Sequence, residues 1–357
     1  MRLVFASDHT YLPDRVGGRE SSIHEMASLY QSRGHEVTVL ALRSSDRMYR
    51  LRSLLSRAAM GRRWNPPYRV LRTWDVVAAM GRMLEHEPAD AYIINFEAAE
   101  RYARTNLAGA IRNQAIYLRD LEGVQQATPE TFPRQAVLVA NSHYTAGAYA
   151  ARTGRDPLVI PPQISLERYA VPTSGEFVTL INPVPIKGVE IALKIAATLP
   201  DIPFLFVEGW PICRSNKVEL RRQTARLGNV RFWSNVLDMR RVYSRTRVLL
   251  VPSLWEEAFG RVVVEAQASG IPSVASDRGG ICEAVGDAGI LLSTDDPISA
   301  WADAVRSLWA DSALRASLSD RARTMALRHY RAAVAGAIDL LTLLTRDGAR
   351  SAGEFGG

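Results

Sequence analysis

Short runs of β-branched and apolar residues alternate with longer helical patterns along almost the whole chain of 357 residues. Such alternation predicts parallel strands, because a helix must carry the chain back over the sheet between one strand and the next. Twelve of these runs are present, more than one ordinary sheet holds. They begin at residues 2, 35, 91, 114, 136, 157, 176, 203, 229, 248, 272 and 289. The pattern therefore predicts an α/β protein with two parallel sheets.

A proline-rich polar stretch from 161 to 175 separates six of these runs from the other six. We predict an N-terminal domain over 1–170, a C-terminal domain over 171–330 and a C-terminal helical segment over 331–350. In open parallel sheets, ligands bind beyond the carboxyl ends of the strands. Two such sheets joined by a linker are therefore expected to form a cleft with two ligand-bearing walls.

Composition excludes several classes of protein. Apolar residues make up 47% and charged residues 23% of the chain, as in soluble globular proteins. Cys213 and Cys282 are the only cysteines, which argues against a disulfide framework or a zinc site. No stretch approaches the roughly 18 apolar residues that a membrane-spanning helix requires. We expect a cytoplasmic protein.

Positive charge is concentrated between Arg43 and Arg72, where nine arginines accompany one acid, Asp46. Interleaved leucines fall near helical spacing, so part of this segment has the pattern of a basic amphipathic helix. One interpretation is contact with an anionic membrane surface, at the inner face of the membrane, or with a lipid-linked or acidic acceptor. The alternative is a solvated arginine-rich segment. No aromatic stacking platform or recognition motif accompanies the charge, which argues against nucleic acid as a partner.

Two strand–loop–helix units carry residues suited to a phosphorylated ligand. Gly17 and Gly18 precede the first helix, where glycines let the backbone approach a ligand and leave helix N–H groups unpaired. In INPVPIKG, Lys187 lies where its ammonium group can reach back over the loop to a phosphate. The ordinary alternatives are a simple turn at the glycines and an exposed lysine in the first turn of a helix.

The segment LWEEAFGRVVVEAQASGIP is the most informative of these units. Glu257 and Glu265 lie eight residues apart around Gly260, a separation of about 2.2 helical turns that allows both to face a ligand. A carboxylate opposes a phosphate, so we interpret the glutamates as ligands for hydroxyl groups and the helix start as the phosphate site. The predicted ligand is a sugar joined to a diphosphate. Two surface glutamates are the ordinary alternative.

The order of the motifs is more specific than any one of them. It runs from the Gly-Gly loop and GHEVTVL through NSHYTAGAYA, LVIPPQISLERY and KGVEIAL to the two glutamates and SGIPSVASDRGGICEAV. This order resembles the family 4 retaining glycosyltransferases of the GT-B fold, also called glycosyl transferases group 1. The resemblance implies two Rossmann-like domains facing across a cleft, with a C-terminal helix that crosses back to the N-domain. It also implies retaining transfer of a sugar from a nucleotide diphosphate sugar to an acceptor hydroxyl in glycan biosynthesis, without a bound metal or cofactor.

The resemblance assigns roles to individual positions. Glu265 is expected to accept hydrogen bonds from the donor ribose, Glu257 to contact the donor sugar, and Lys187 to neutralise the diphosphate. The diphosphate is further expected to lie against the backbone of Phe259, Gly260 and Arg261. Gly17 and Gly18 are expected to approach the diphosphate or the transferred sugar from the other side of the cleft.

Two positions depart from the family pattern. Asn182 stands where the family often has an arginine, and we expect Arg261 or Arg19 to supply the missing cation. Arg119 and Asp120 stand where the family often has a histidine near the reacting centre. Arginine cannot act as a general base at ordinary pH. We therefore expect Arg119 to orient the donor phosphate or the acceptor, and Asp120 to orient a loop or a hydroxyl group.

The acceptor side is the least defined part of the prediction. His9 after the first strand and His143 in NSHYTAG are acceptor-side candidates, although a lone histidine is more often structural. The expected acceptor is a polysaccharide, a lipid-linked glycan or a small-molecule glycoside. Two other functions remain open: a catalytically degenerate GT-B subunit that binds nucleotide sugar or a partner enzyme, and a sugar-nucleotide epimerase of the same architecture.

Overall fold

The chain divides into two compact units. Unit 1 comprises Met1–Gln163 and Ala332–Gly357, and unit 2 comprises Ile164–Arg331; the sequence pattern placed this division at residue 170. The structure is a computed structural model that describes residues 1–15, 17–43, 65–97, 99–209, 212–234, 236 and 238–353, with backbone alone for 346–353. Most of the basic segment between Arg43 and Arg72 lies outside the described residues, so its membrane contact stays a prediction.

Unit 1 is built on a parallel sheet with helices on both faces. Alternate residues of the first strand point to opposite faces, with Leu3 and Phe5 in one buried cluster and Val4 and Ala6 in another. In the order β3-β2-β1-β4-β5-β6-β7 across the sheet, its strands are β1 Arg2–Ser7, β2 Glu36–Leu42, β3 Arg69–Thr73, β4 Ala91–Ile94, β5 Gln114–Leu118, β6 Val137–Ala140 and β7 Leu158–Val159. Its helices are α1 Gly18–Ser32, α2 Val76–His86, α3 Ala99–Ala103, α4 Asn106–Ala110 and α5 His143–Thr153, with a 3-10 turn at Val124–Gln126.

Unit 2 repeats this architecture around a second parallel sheet. Val248 and Leu250 pack on one face, and Leu249 and Val251 pack on the other. In the order β10-β9-β8-β11-β12-β13, its strands are β8 Phe177–Ile181, β9 Phe204–Val207, β10 Val230–Trp233, β11 Thr246–Val251, β12 Ser273–Ser276 and β13 Gly289–Leu292. Its helices are α6 Leu166–Tyr169, α7 Val189–Thr198, α8 Arg214–Leu227, α9 Arg240–Tyr243, α10 Arg261–Gln267, α11 Ile281–Val285 and α12 Ile298–Ala310. The predicted pair of parallel α/β sheets is confirmed.

The long C-terminal helix, α13 (Ser312–Gly353), begins in unit 2 and ends in unit 1. Ala337 and Leu340 are fully buried in the same cluster as Leu3 and Phe5 of β1. The hydroxyl group of Tyr30 donates to the carbonyl oxygen of Ala337 at 2.7 Å. The return of the C-terminal helix to the N-terminal domain, which the resemblance implied, is therefore confirmed. Among the described helices, none has the length and apolar character needed to cross a membrane.

Candidate functional site

Two neighbouring strands of unit 2, β8 and β11, end in loops that bring a cation and a carboxylate together. Lys187 closes the 3-10 turn Pro185–Lys187 after β8, and Glu257 lies in the loop after β11. The ammonium group of Lys187 forms an ion pair with Oε1 of Glu257, and the hydroxyl group of Ser253 donates to the same oxygen at 3.2 Å. The two charged side chains are 12% and 18% exposed, so a ligand at the surface can still reach them.

Close backbone packing holds this pair in place. Gly188 has a left-handed backbone, with φ of 73°, and a Cβ atom there would lie 1.8 Å from the carbonyl oxygen of Pro252. The loop after β8 can therefore pack against the loop after β11 only because residue 188 has no side chain. The backbone N–H groups of Leu254 and Trp255 both donate to the carbonyl oxygen of Ile186, at 3.0 and 3.1 Å.

The double glycine after β12 supports the Glu257 loop from a third strand. The N–H group of Gly280 donates to the carbonyl oxygen of Glu257 at 2.7 Å. A Cβ atom on Gly280 would lie 2.5 Å from the carbonyl oxygen of Ala258, and one on Gly279 would lie 2.6 Å from that of Glu257. The loops after three neighbouring strands therefore fix the backbone of Glu257.

Glu265 belongs to a separate, buried cluster on α10. Its carboxylate accepts from Nε of Arg261 at 2.7 Å and from the hydroxyl group of Tyr243 at 3.0 Å. Burial, followed by the charge of Glu265, raises the pKa of Tyr243 well above its usual value, so this hydroxyl group stays protonated and donates. Arg261 also donates to the hydroxyl group of Tyr169 at 3.2 Å. The Arg261 side chain, one of the two expected substitutes for the missing diphosphate cation, is therefore engaged with Glu265 and Tyr169.

The departure at Asn182 has a conformational basis. Asn182 follows β8 with a left-handed backbone, φ 60°, and it is the one non-glycine residue with positive φ among those the structure describes. Asparagine tolerates this conformation better than most residues. Its Oδ1 atom accepts from the N–H group of Gly209 at 3.0 Å, joining the ends of β8 and β9. The side chain therefore stabilises the sheet edge where an arginine is common in the family.

In unit 1, the carboxyl ends of β1 and β4 hold a hydrogen-bonded histidine. Nδ1 of His9 accepts from Arg15 at 2.6 Å, so Nε2 carries the proton and donates to Glu97 at 2.8 Å when the ring is neutral. The N–H group of Glu97 donates to the carboxylate of Asp8 at 3.0 Å. Burial opposes ionisation of Glu97, but the hydrogen bond from His9 and the positive charges of Arg19 and Arg15 outweigh it and lower the pKa of Glu97. Hydrogen bonds to both ring nitrogens therefore fix the orientation of His9.

Arg119 and Asp120 extend the same sheet edge beyond β5. Nε of Arg119 donates to Oδ1 of Asn95 at 2.9 Å, and its guanidinium group lies 3.7 Å from the ring centre of Tyr117. Asp120 faces Arg19, in the first turn of α1, with 3.4 Å between Oδ2 and Nη2. Burial raises the pKa of Asp120 to about 7, and the positive charge of Arg19 opposes this shift.

The structure groups the predicted site residues into three sets. Lys187 and Glu257 form one, Glu265 and Arg261 form a second, and a third at the edge of unit 1 contains His9, Gly17, Gly18, Arg119 and Asp120. Phe259 is buried against the ring of His329, and Gly260 has the left-handed backbone that starts α10. His143 lies exposed at the start of α5. In the part of the chain that the structure describes, no group of three or more His, Cys, Asp or Glu side chains is arranged to hold a metal ion.

Sequence reasoning missed several partners in these sets. Asp8, Glu97 and Ser253 each follow a strand by one to three residues, and this position beyond the carboxyl end of a strand is a signal that could have found them. Tyr169 and Tyr243 carry no such signal, because they approach Glu265 from separate short helices. Glu20 lies in the first turn of α1, directly after the residues that were recognised.

The part of the chain that matches a known protein family lies within unit 2. The family model described as Glycosyl transferases group 1 matches residues 177–311, which hold both the Lys187–Glu257 pair and Glu265. The N-terminal motifs lie outside this match. The two glutamates and the lysine are thus found in the part of the chain that carries the family pattern.

Curated relatives match different shares of the chain. A D-inositol 3-phosphate glycosyltransferase of Salinispora arenicola is 29% identical over 224 residues, which cover 52% of this chain and 50% of the relative. One from Corynebacterium diphtheriae is 38% identical over 146 residues, 36% of this chain and 33% of the relative. The chain thus spans half or less of the length of these relatives. A phosphatidyl-myo-inositol mannosyltransferase of Mycolicibacterium smegmatis is 26% identical over 352 residues, covering 90% of this chain and 88% of the relative.

Solved structures share the architecture of both units. Anabaena Alr3699/HepE in complex with UDP-glucose has a TM-score of 0.72 at 19% identity, covering 98% of this chain and 99% of that one. Sucrose-phosphate synthase from Thermosynechococcus elongatus has a TM-score of 0.75 at 19% identity, covering 98% and 99%. The chain has the GT-B fold. Its motifs and relatives confirm the resemblance to the family 4 glycosyltransferases, the glycosyl transferases group 1.

Proposed function

We propose that this protein is a retaining glycosyltransferase that moves a sugar from a nucleotide diphosphate sugar to an acceptor hydroxyl group without a bound metal. The ion pair between Lys187 and Glu257 is the observation that carries this proposal. It places a cation suited to a diphosphate beside a carboxylate suited to sugar hydroxyl groups, at the sheet edge where nucleotides bind. The family match over unit 2 and the mannosyltransferase relative support the same activity.

In the proposed reaction, the bond between the anomeric carbon and the diphosphate oxygen breaks. The acceptor oxygen bonds to the same face of that carbon, and the acceptor proton passes to the leaving diphosphate. Lys187 and the backbone N–H groups near Gly260 would stabilise the negative charge that develops on the leaving group. Glu257 would accept hydrogen bonds from the sugar, and Glu265 from the ribose.

Donor binding tests the proposal most directly. The purified protein is screened by thermal shift against GDP-, UDP-, ADP- and dTDP-sugars, and at least one is expected to raise the melting temperature. Lys187→Ala is expected to weaken binding of that donor at least tenfold, because hydrogen bonds to charged groups contribute about 1.5–3 kcal/mol. Lys194→Ala, an exposed lysine on α7, is the matched control and should bind normally. Absence of binding across the panel, or full affinity in Lys187→Ala, would overturn the proposal.

Stereochemistry and metal dependence need their own measurements. With the stabilising donor and a glycoside acceptor, the anomeric configuration of the product is read by NMR, and retention is expected. Activity is expected to survive EDTA and to be unchanged by added Mg²⁺ or Mn²⁺. An inverted product would refute the retaining mechanism, and loss of activity in EDTA that Mg²⁺ or Mn²⁺ restores would refute metal independence. Donor binding without transfer to any acceptor would instead favour the degenerate subunit.

A further inference from the structure

Three buried polar atoms without hydrogen-bond partners lie at the carboxyl edge of unit 1. They are Oε1 of Glu20, Oδ1 of Asn141 and Nη1 of Arg19. In the described part of unit 1, one other buried side-chain atom shares this condition, Nδ1 of His35 in the turn before β2. A buried polar group without a partner costs about 1–3 kcal/mol. Three such atoms in one region therefore indicate a place where a ligand supplies the missing hydrogen bonds.

Contacts along the sheet edge connect the residues that carry these three atoms. Nδ2 of Asn141, after β6, donates to the carbonyl oxygen of Arg119 at 3.4 Å. The next residue, Asp120, pairs with Arg19, which precedes Glu20 in the first turn of α1. Glu20 is 2% exposed and Asn141 is 6% exposed, so both side chains are held within the protein.

The carboxylate of Glu20 has its place because residue 17 is glycine. A Cβ atom on Gly17 would lie 2.5 Å from Oε2 of Glu20. The basic groups that face Oε1 are Nε of Arg15 and Nδ1 of His9, each at 3.7 Å. Both distances are too long for a hydrogen bond, so this oxygen keeps its full capacity to accept one.

The charges around these atoms do not favour an anion. Arg15 and Arg19 face carboxylates, and Arg119 is bound to Asn95 and stacked on Tyr117. The carboxyl groups of the cluster are those of Asp8, Glu20, Glu97 and Asp120. Three arginines against four carboxyl groups leave no excess positive charge for a phosphate. Hydroxyl groups both donate and accept, and so they match two open acceptors and one open donor.

We propose that Glu20, Asn141 and Arg19 form a binding subsite for an uncharged, hydroxyl-rich acceptor, such as a ring polyol or a glycoside, and that this subsite disfavours a phosphorylated acceptor. The proposal rests on the proposed function, because it names the acceptor class of the transfer. Arg15 lies 3.7 Å from Glu20 and Glu97 lies 2.8 Å from His9, and their side chains are 47% and 53% exposed. For a ligand to reach the buried oxygen, these two exposed side chains would have to turn outward.

The test measures acceptor binding directly, by titration calorimetry without any donor. The probes are two pairs, myo-inositol with myo-inositol 3-phosphate, and methyl α-glucoside with glucose 6-phosphate. The wild-type protein is expected to bind a neutral probe more tightly than its phosphorylated counterpart. Glu20→Gln should weaken binding of the neutral probe about tenfold, since a charged hydrogen-bond acceptor is lost. The same substitution should strengthen binding of the phosphorylated probe, because it removes a charge that repels the phosphate.

Two further variants make the test decisive. Glu36→Gln makes the same change of charge as Glu20→Gln, but at the exposed start of β2. It should leave the affinities for the neutral and the phosphorylated probes unchanged. Asn141→Ala, which leaves Glu20 intact, should weaken binding of the neutral probe severalfold. The circular dichroism spectrum of this variant should remain that of the native protein. Tighter binding of the phosphorylated probes, equal effects of Glu20→Gln on both kinds of probe, or no binding of either neutral probe would each overturn the proposal. Nucleoside diphosphate binding is measured in the same samples, and its absence in the wild type would count against the proposed function instead.

Discussion

At the scale of single residues, the structure separates two glutamates that a single motif unites. Glu257 is paired with Lys187 and remains partly exposed, whereas Glu265 is buried between Arg261 and Tyr243. The pairing with Lys187 was predictable, because both residues follow strands that end at the same sheet edge. The partners of Glu265 were not, since no spacing in the sequence brings Tyr243 to it.

The buried hydrogen bond between Tyr243 and Glu265 should contribute measurably to stability. Tyr243→Phe removes the hydroxyl group and leaves one carboxylate oxygen without its partner. We expect the free energy of unfolding, measured by urea denaturation, to fall by about 1–3 kcal/mol. Tyr330→Phe, at a position 37% exposed on α13, is the control and should be neutral. Equal stability of Tyr243→Phe and the wild type would show that Arg261 alone satisfies the carboxylate.

Asp120 should make stability depend on pH near neutrality. Burial raises the folded-state pKa of Asp120 to about 7, above its ordinary value. The folded state therefore binds the proton more tightly than the unfolded state. The resulting stability is fully present below the unfolded pKa and is lost as pH rises through about 7. We expect the melting temperature of the wild type to fall between pH 5 and pH 8 more steeply than that of Asp120→Asn. Parallel curves for the two proteins would contradict the assignment.

At the scale of elements, the identity of single residues is constrained more strongly in the loops than in the strands. The twelve predicted runs all correspond to strands, because continuous apolar residues are needed where helices cover both faces of a sheet. The described residues contain one further strand, β3 (Arg69–Thr73), which sequence analysis placed in the basic segment. Its sequence, RVLRT, has two arginines, and it lies at the edge of the sheet with partly buried residues, so it lacks the apolar pattern.

The contact between the loops after β8 and β11 can be tested at a single glycine. Gly188 and Gly228 have the same φ, 73°, but of the two only Gly188 has backbone atoms within 4 Å of the position that a Cβ atom would take. Both alanine variants incur the cost of a left-handed residue, about 1–2 kcal/mol. Gly188→Ala also forces Pro252 away, which we expect to add about 1–3 kcal/mol, measured by urea denaturation. Equal destabilisation of the two variants would mean that separating the two loops does not change the free energy of unfolding.

At the scale of the whole molecule, unit 1 depends on the C-terminal part of α13, a helix that begins in unit 2. Two parallel sheets could be predicted from the alternation of strand and helix patterns, and the class of protein from the order of the motifs. The return of the C-terminal helix to unit 1 followed only from the family resemblance, and its contacts could not be predicted, because they depend on which core the apolar face of α13 enters. That choice is made by tertiary contacts such as the one between Tyr30 and Ala337.

The contribution of α13 to unit 1 can be measured with two leucines of the same helix. Leu340 is fully buried in the core of unit 1, whereas Leu343 is 38% exposed. Leu340→Ala is expected to lower the free energy of unfolding of unit 1 by about 2–5 kcal/mol. Hydrogen–deuterium exchange should then show faster exchange in peptides of β1 and β2, with little change in unit 2. Leu343→Ala should resemble the wild type, and the same exchange pattern in both variants would contradict this packing.

The passage of α13 between the units also has a consequence for synthesis on the ribosome. Unit 2 is continuous, so its core is complete once residue 331 has emerged from the exit tunnel. Unit 1 has its strands earlier, but Ala337, Leu340, Leu341 and Leu344 join its core only afterwards. We therefore expect the nascent chain to finish its second unit before its first. Until then, the apolar surface beside Tyr30 is left open to chaperones or to premature association.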